Sequence, residues 1–216
     1  MLFSASSTHS LVVIDGKLHG CGTNICGQLG LGHHNRVFEF AEIGEPFDGT
    51  GIRFIKCLDN VSYILTNAGN VFCCGKCTIS PNLDLLYFKF RKIFHNIKMI
   101  DFDSHFGVAV DFDNSIYVIG TIGRFVQEPE IKYDALTKCE IEANIIHKIC
   151  CVSNYAMVLT DAGLFGFGIR SDFQSITSFK KICEYGSIID FVCTINDMLL
   201  LLWFLIKWDN LTDILF

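Results

Sequence analysis

The sequence predicts an all-β fold, a partial β-propeller of about four to five blades, each a four-stranded antiparallel sheet, open or imperfectly closed. Three observations predict it. Short apolar runs alternate with turns rich in Gly, Asn and Asp along the chain. Four of the resulting hairpins superpose on a shared glycine, at 22, 75, 120 and 168. The spacings between those glycines are 53, 45 and 48 residues, too long for one hairpin and suited to one four-stranded sheet per repeat.

The first hairpin covers 10–22: Ser10 to Ile14, the turn Asp15-Gly16, then Lys17 to Gly22. Asp-Gly supplies the positive φ that a two-residue hairpin turn requires. The second covers 62–75 with the turn Asn67-Ala68-Gly69, and the third covers 107–120 with the turn Asp111 to Asn114. The fourth covers 156–168 with the turn Asp161-Ala162-Gly163. A further apolar strand precedes each hairpin, at Leu2–Ala5, Ile52–Cys57, Ile97–Asp101 and Ile145–Cys150. Phe38-Glu39-Phe40 and Tyr87-Phe88-Lys89 are the candidates for fourth strands. A fifth hairpin is expected at 204–216, after a strand at Ile188–Val192 and with Phe216 in the glycine position; the alternative is an aberrant tail. The whole of 1–216 is then one propeller-like repeat domain.

Composition agrees with a packed β domain. Half of the 216 residues are hydrophobic and 19% are charged, so disorder is not expected. The net charge of -6 argues against nucleic-acid binding, which needs clustered Lys and Arg. Lys89, Arg91 and Lys92 sit together and read as a solvated loop. The 11 cysteines have no framework spacing and no signal peptide is legible, so reduced thiols and a cytoplasmic setting are expected, with the nucleus as the other option. Met198 to Ile206 is uninterrupted apolar but less than half the length of a spanning helix, and it reads as a buried strand.

Several residues invite chemistry and have a plainer reading. Cys74-Gly75-Lys76-Cys77 is a CxxC, yet no helix follows to lower a thiol pKa and no second pair completes a zinc site. Gly27-Gln28-Leu29-Gly30-Leu31-Gly32 follows a hairpin rather than linking a strand to a helix, so it is a return loop and not a dinucleotide fingerprint. His33-His34 reads as loop, and His9 and His105 as lead-in histidines with structural hydrogen bonds. Asp101, Asp103, Asp111 and Asp113 form an acidic cluster in which several members are turn residues. No catalytic, cofactor-binding or metal-binding residue is assigned, no cofactor is expected, and no enzyme is expected.

Ser7-Thr8-His9-Ser10, the Asp15-Gly16 turn and Asn24, Gly27, Gln28, Leu29, Gly30 and Gly32 together resemble the regulator of chromosome condensation repeat. Copies two to four lack the glycine-rich loop, and the usual Trp before the shared glycine is Cys21, Cys74, Ile119 or Phe167. The resemblance implies a seven-bladed propeller, of which 216 residues supply about four and a half blades. An incomplete ring leaves exposed end blades that can pair with another chain. The function it implies is a protein–protein interaction scaffold, with the inter-hairpin stretches Asn35–Gly51 and Cys77–Phe94 as surface. The alternative it implies is guanine-nucleotide exchange on, or regulation of, a Ran-like or other small GTPase.

Overall fold

The computed structural model describes residues 1–44, 47–79, 85–103, 105–122, 131–152, 155–169, 175–184, 190–196 and 199–205. All of its regular structure is β, in four four-stranded antiparallel sheets and one pair. Blade 1 holds β1 (Leu2–Ala5), β2 (His9–Ile14), β3 (Lys17–Gly22) and β4 (Val37–Glu42). Blade 2 holds β5 (Ile52–Leu58), β6 (Val61–Thr66), β7 (Val71–Cys77) and β8 (Leu85–Phe94). Blade 3 holds β9 (Ile97–Phe102), β10 (Phe106–Asp111), β11 (Ile116–Ile122) and β12 (Ile131–Cys139). Blade 4 holds β13 (Ile146–Val152), β14 (Tyr155–Thr160), β15 (Gly163–Ile169) and β16 (Ser175–Glu184). The pair is β17 (Asp190–Asn196) with β18 (Leu199–Leu205).

Strands within each blade follow chain order, and the first strands form the inner row: β1 lies beside β5, β9 beside β13, and β13 beside β17. Among the described residues no strand of a later blade joins the first sheet, so the arc is not closed. The second half of the hairpin expected at 204–216 lies outside the described residues. The apolar run expected as a strand does pair as one: β18 runs antiparallel to β17, from Asn196↔Leu199 to Asp190↔Leu205.

Among the described residues three separate cores sit between successive blades. Leu11, Leu29, Ile55, Ile64 and Phe90 fill the first junction. Tyr63, Leu65, Phe102 and Ile119 fill the second, and Phe106, Val108, Val158 and Phe167 the third. This explains why β6, β10 and β14 are buried at every position. Alternate side chains point to opposite faces, and each face has a neighbouring blade. In β6, Val61, Tyr63 and Leu65 face blade 3 while Ile64 faces blade 1.

Two irregularities recur in the repeat. The third strand of each blade shifts register against the fourth at the shared glycine: Gly20/Gly22, Cys73/Gly75, Val118/Gly120 and Gly166/Gly168. These glycines have φ of 113°, 93°, 102° and 113°, and a Cβ on Gly120 would lie 2.1 Å from the carbonyl oxygen of His105. The first strand also bulges, at Arg53, Lys98 and His147 in blades 2, 3 and 4.

The fourth strands fall on the two candidate stretches, with consequences for the loops expected around them. Lys89, Arg91 and Lys92 are on β8 rather than in a loop, and the stretches 35–51 and 77–94 are occupied largely by β4 and β8. Their polar side chains alternate on the outermost, most solvated strand of a blade, which reads as loop when no neighbouring strand is known. Register Thr160↔Gly163 leaves the fourth hairpin a two-residue turn, one residue shorter than expected.

Gly120→Ala is expected to destabilise the fold by about 1–3 kcal/mol, because a side chain there is both strained and obstructed. Gly44→Ala, where a Cβ would meet nothing within 4 Å, is the control and should shift the urea midpoint little. Equal shifts for the two variants would contradict the role of the bulge.

Candidate functional site

The glycine-rich loop sits at the junction of blades 1 and 2 and holds them together with its own backbone. Asn24, Gln28 and Leu29 are fully buried. The Asn24 amide donates from Nδ2 to the His33 carbonyl at 2.7 Å, and its Oδ1 accepts the Leu29 N–H at 2.9 Å, which folds the loop on itself. The Gln28 carbonyl accepts from Ser62 Oγ at 2.7 Å and from Cys74 Sγ at 3.2 Å, both on blade 2. On the outer side Gly32 N–H donates to the Phe88 carbonyl at 2.7 Å. Gly30 lies so close to the Phe90 ring that a Cβ would come within 2.5 Å of it.

His9 extends this clamp. Ser62 spends its proton on Gln28, so His9 Nε2–H donates to Ser62 Oγ, at 2.7 Å. Nδ1 is then the acceptor, 3.1 Å from the hydroxyl of Ser6. Burial pushes the His9 pKa down to about 4, against a smaller upward pull from Asp59. A His–Ser pair of this kind suggests a nucleophile, but Ser62 is fully buried and its proton is directed at a carbonyl. The arrangement joins blades and is not shaped to attack a substrate.

The other side of blade 1 is different. The register Phe3↔Val12, Val12↔His19 and His19↔Glu42 runs across one face of the sheet. Alternation adds Ile14, Phe38 and Phe40 to that face. Val12 at the centre of the face is buried, while Phe3, Ile14, Phe38 and Phe40 around it are exposed, Phe38 at 84%, and Arg36 lies over the Phe38 ring at 5.3 Å. Register aligns Phe3 with Ile55 and Ile100 of the next two blades, and exposure falls from 58% at Phe3 to 7% and 3% there. What differs is the neighbouring blade: the later sheets have one on this side, and among the described residues blade 1 does not.

No protein-family profile matches this chain. Over 68 residues, 31% of the chain, it is 46% identical to the secretion-regulating guanine nucleotide exchange factor of Mus musculus, a match spanning 14% of that protein. Human WBSCR16 superposes with a TM-score of 0.71 at 16% identity, over 88% of this chain and 55% of that one. Prp20p of Saccharomyces cerevisiae, the yeast RCC1, superposes with a TM-score of 0.65 at 14% identity, over 86% of this chain and 50% of that one. The fold is a propeller of the kind that WBSCR16 and Prp20p share, and the first blade carries the loop that resembles the regulator of chromosome condensation repeat. The first blade has the glycine-rich loop, and the later blades share its period and its glycine bulge.

The repeat register also corrects one expectation. His9 pairs with Gly22, whereas Gly120 pairs with Phe106, so His105 sits one residue before the lead-in position. Its carbonyl accepts the Thr121 N–H at 2.7 Å, and Phe106 takes the place of His9. The acidic cluster is split by the same geometry. Asp101 lies on β9, where Oδ1 meets Lys56 Nζ at 2.9 Å and Oδ2 accepts the Cys151 N–H at 2.7 Å. Asp111 lies at the other end of the hairpin, accepting the N–H groups of Asp113 and Ser115. His34 packs edge-on to Phe88 at 6.3 Å, and His33 braces Asn24.

Cys74 and Cys77 are fully buried in different cores, because neighbours on a strand face opposite ways and the CxxC spacing of three reverses the face. Burial pushes the Cys74 thiol well above its usual range. Among the described residues no three His, Cys, Asp or Glu side chains are placed to hold a metal ion, and no helix is long and apolar enough to cross a membrane. The exposed face of blade 1 was not singled out in the sequence. Its available signal was the Phe38-Glu39-Phe40 alternation, which shows a two-sided strand but not which side lacks a cover.

Two outcomes test this geometry. The neutral imidazole of His9 stabilises the fold fully above its unfolded pKa of 6.5, and that contribution is lost as the pH falls through about 4. The loss should be on the order of 3 kcal/mol in denaturant titrations, and His9→Phe, the residue type that blade 3 uses, should flatten that dependence. In the native protein a small thiol reagent should modify the partly exposed Cys21 and Cys26 at least about tenfold faster than Cys74 and Cys77, read by mass spectrometry of the labelled peptides.

Proposed function

We propose that this chain is a protein–protein interaction scaffold of the regulator of chromosome condensation repeat type, with the uncovered face of blade 1 as its principal docking surface. The observation that carries the reading is the exposure of Phe3, Ile14, Phe38 and Phe40 on one sheet face. Positions matching Phe3 on the following blades are buried against an apolar sheet, so the fitting partner presents an apolar, sheet-like surface of comparable curvature. Aromatic anchors with a nearby Arg are the residue types that dominate binding energy at protein interfaces. The free thiols fit a reducing cytoplasmic or nuclear setting. The net charge of -6 disfavours direct binding to nucleic acid.

A second reading is regulation of a small GTPase, including nucleotide exchange. It is supported by the likeness to a secretion-regulating guanine nucleotide exchange factor, and by the fold shared with Prp20p, whose binding to Gsp1p and histones has been studied. The chain spans a small part of the first relative and half of the second, so the activity is proposed for the whole protein and no residue is assigned to it.

Phe38→Glu combined with Phe40→Glu should leave the circular dichroism spectrum and urea midpoint nearly unchanged, since both residues are solvated. It should abolish saturable capture of the protein partner retained by the unaltered chain. A chain that retains no saturable partner, or a double variant that retains it equally, would sink the scaffold reading. For the GTPase reading, release of a fluorescent nucleotide from a panel of Ran-like and other small GTPases should accelerate at micromolar chain, and no acceleration on any member overturns it.

A further inference from the structure

The outer strand of blade 2 differs in charge from those of the other blades. From 85 to 97 the sequence holds Lys89, Arg91 and Lys92 and no Asp or Glu, in a chain whose net charge is -6. β4 carries Glu39 and Glu42 without a base, and β12 and β16 carry both signs. Along β8 the side chains of Leu86, Phe88, Lys89, Arg91 and Lys92 are exposed. The run from Leu86 to Lys92 is one strand wide and at most about 20 Å long at the rise of a strand.

The glycine-rich loop of blade 1 supports this strip. Phe88 covers Gly27, where a Cβ would lie 2.8 Å from its ring, and it meets His34 edge-on. The Lys89 stem crosses Gly32, where a Cβ would lie 2.8 Å from Lys89 Cε. The Gly32 N–H donates to the Phe88 carbonyl, which fixes the backbone from which both side chains leave. On the same strand the Arg91 guanidinium lies 5.3 Å over the Tyr87 ring. Cationic side chains whose stems already rest on a surface lose less freedom when their heads are engaged. Only the first repeat carries the glycine-rich loop, and the junction that the loop spans is the one with the basic rim.

We propose that this rim is a second docking surface, and that its occupant is an extended, acidic segment of a partner protein. Carboxylates of the segment meet Lys89 and Lys92, with Arg91 beside them, and an apolar side chain seats on Leu86 and Phe88. Charge complementarity selects the acidic partner, and a strip one strand wide fits an extended segment rather than a folded face. Nucleic acid would meet the same cations, but it brings a dense, uniform charge toward a chain of net charge -6 and offers Leu86 no aliphatic partner. Protection of an outer strand against pairing would account for the lysines alone, yet the exposed Leu86 and Phe88 beside them work against that purpose. The rim lies across blade 1 from Phe38 and Phe40 and does not depend on that face.

The probe is a short labelled peptide in which Glu alternates with Leu and Phe. Its fluorescence anisotropy, titrated with the full chain, should show saturable binding that weakens as salt rises. Lys89→Glu and Lys92→Glu should each weaken that binding by about fivefold, the scale of one interfacial charge contact. Both residues are exposed, so the urea midpoint should hold in both variants. Lys17→Glu makes the same change in net charge at a cation paired with Glu42 on blade 1, and should leave the affinity unchanged. Absence of saturation, equal affinity for the peptide with Gln in place of Glu, or equal weakening by Lys17→Glu overturns the proposal. Tighter binding of a single-stranded oligonucleotide or of phosphatidylserine vesicles than of the peptide overturns it as well. None of these results bears on partner capture through Phe38 and Phe40.

Discussion

A four-stranded blade has two apolar faces and no interior of its own, so each blade depends on a neighbour at each side. That constraint organises the molecule. Tyr63 and Ile64 are adjacent in sequence, fully buried, and belong to different cores. The hydrophobic contribution of β6 therefore exists only while blades 1 and 3 are both in place. Blade 1 has a described neighbour on one side only, and its strands show it: β1 alternates half-buried and exposed positions where β6 is buried throughout.

The junctions are not held by the same chemistry. Between blades 1 and 2 the His9–Ser62–Gln28 chain and the folded loop provide directional hydrogen bonds in a buried setting, where an unmet partner would be costly. Copies two to four have lost that loop. At the second junction Tyr63 packs on Phe102 with ring centres 4.3 Å apart, and Lys56 pairs with Asp101. Burial opposes the charge on Lys56, and the adjacent Asp101 carboxylate more than restores it, so the lysine pKa is raised. At the third junction Phe106 stacks on Phe167 at 5.8 Å and Phe167 meets Phe179 at 4.9 Å. Aromatic area replaces the polar clamp as the repeat diverges.

Much of this is legible in the sequence because hairpins are local. Asp15-Gly16 and Gly69 announce turns through their positive φ, and the glycines at 22, 75, 120 and 168 mark a bulge that recurs in every blade. What escapes is set by neighbours far along the chain. Lys89 and Arg91 look like loop residues until β7 is placed beside them. His105 looks like a second His9 until the register shows that Phe106 pairs with the glycine. Phe3 and Ile55 both read as core residues, and what separates them is that a described blade packs against Ile55 and none against Phe3. The basic bulge positions are hidden for the same reason: Arg53, Lys98 and His147 have no shared sequence motif and become equivalent only through pairing.

The two repeat irregularities then divide the work of the fold. The glycine bulge sits between the third and fourth strands, tolerates no side chain, and sets the path of the outer strand; it can only be structural. The first-strand bulge sits at the inner row, where side chains of three blades approach one another, and there the chain places Arg53, Lys98 and His147 rather than small residues. Gathering like charges in a partly buried setting is unfavourable unless something compensates, and a core built for packing alone would use apolar residues at those positions. The inner row already shows the compensated case one turn deeper, where Lys56 meets Asp101.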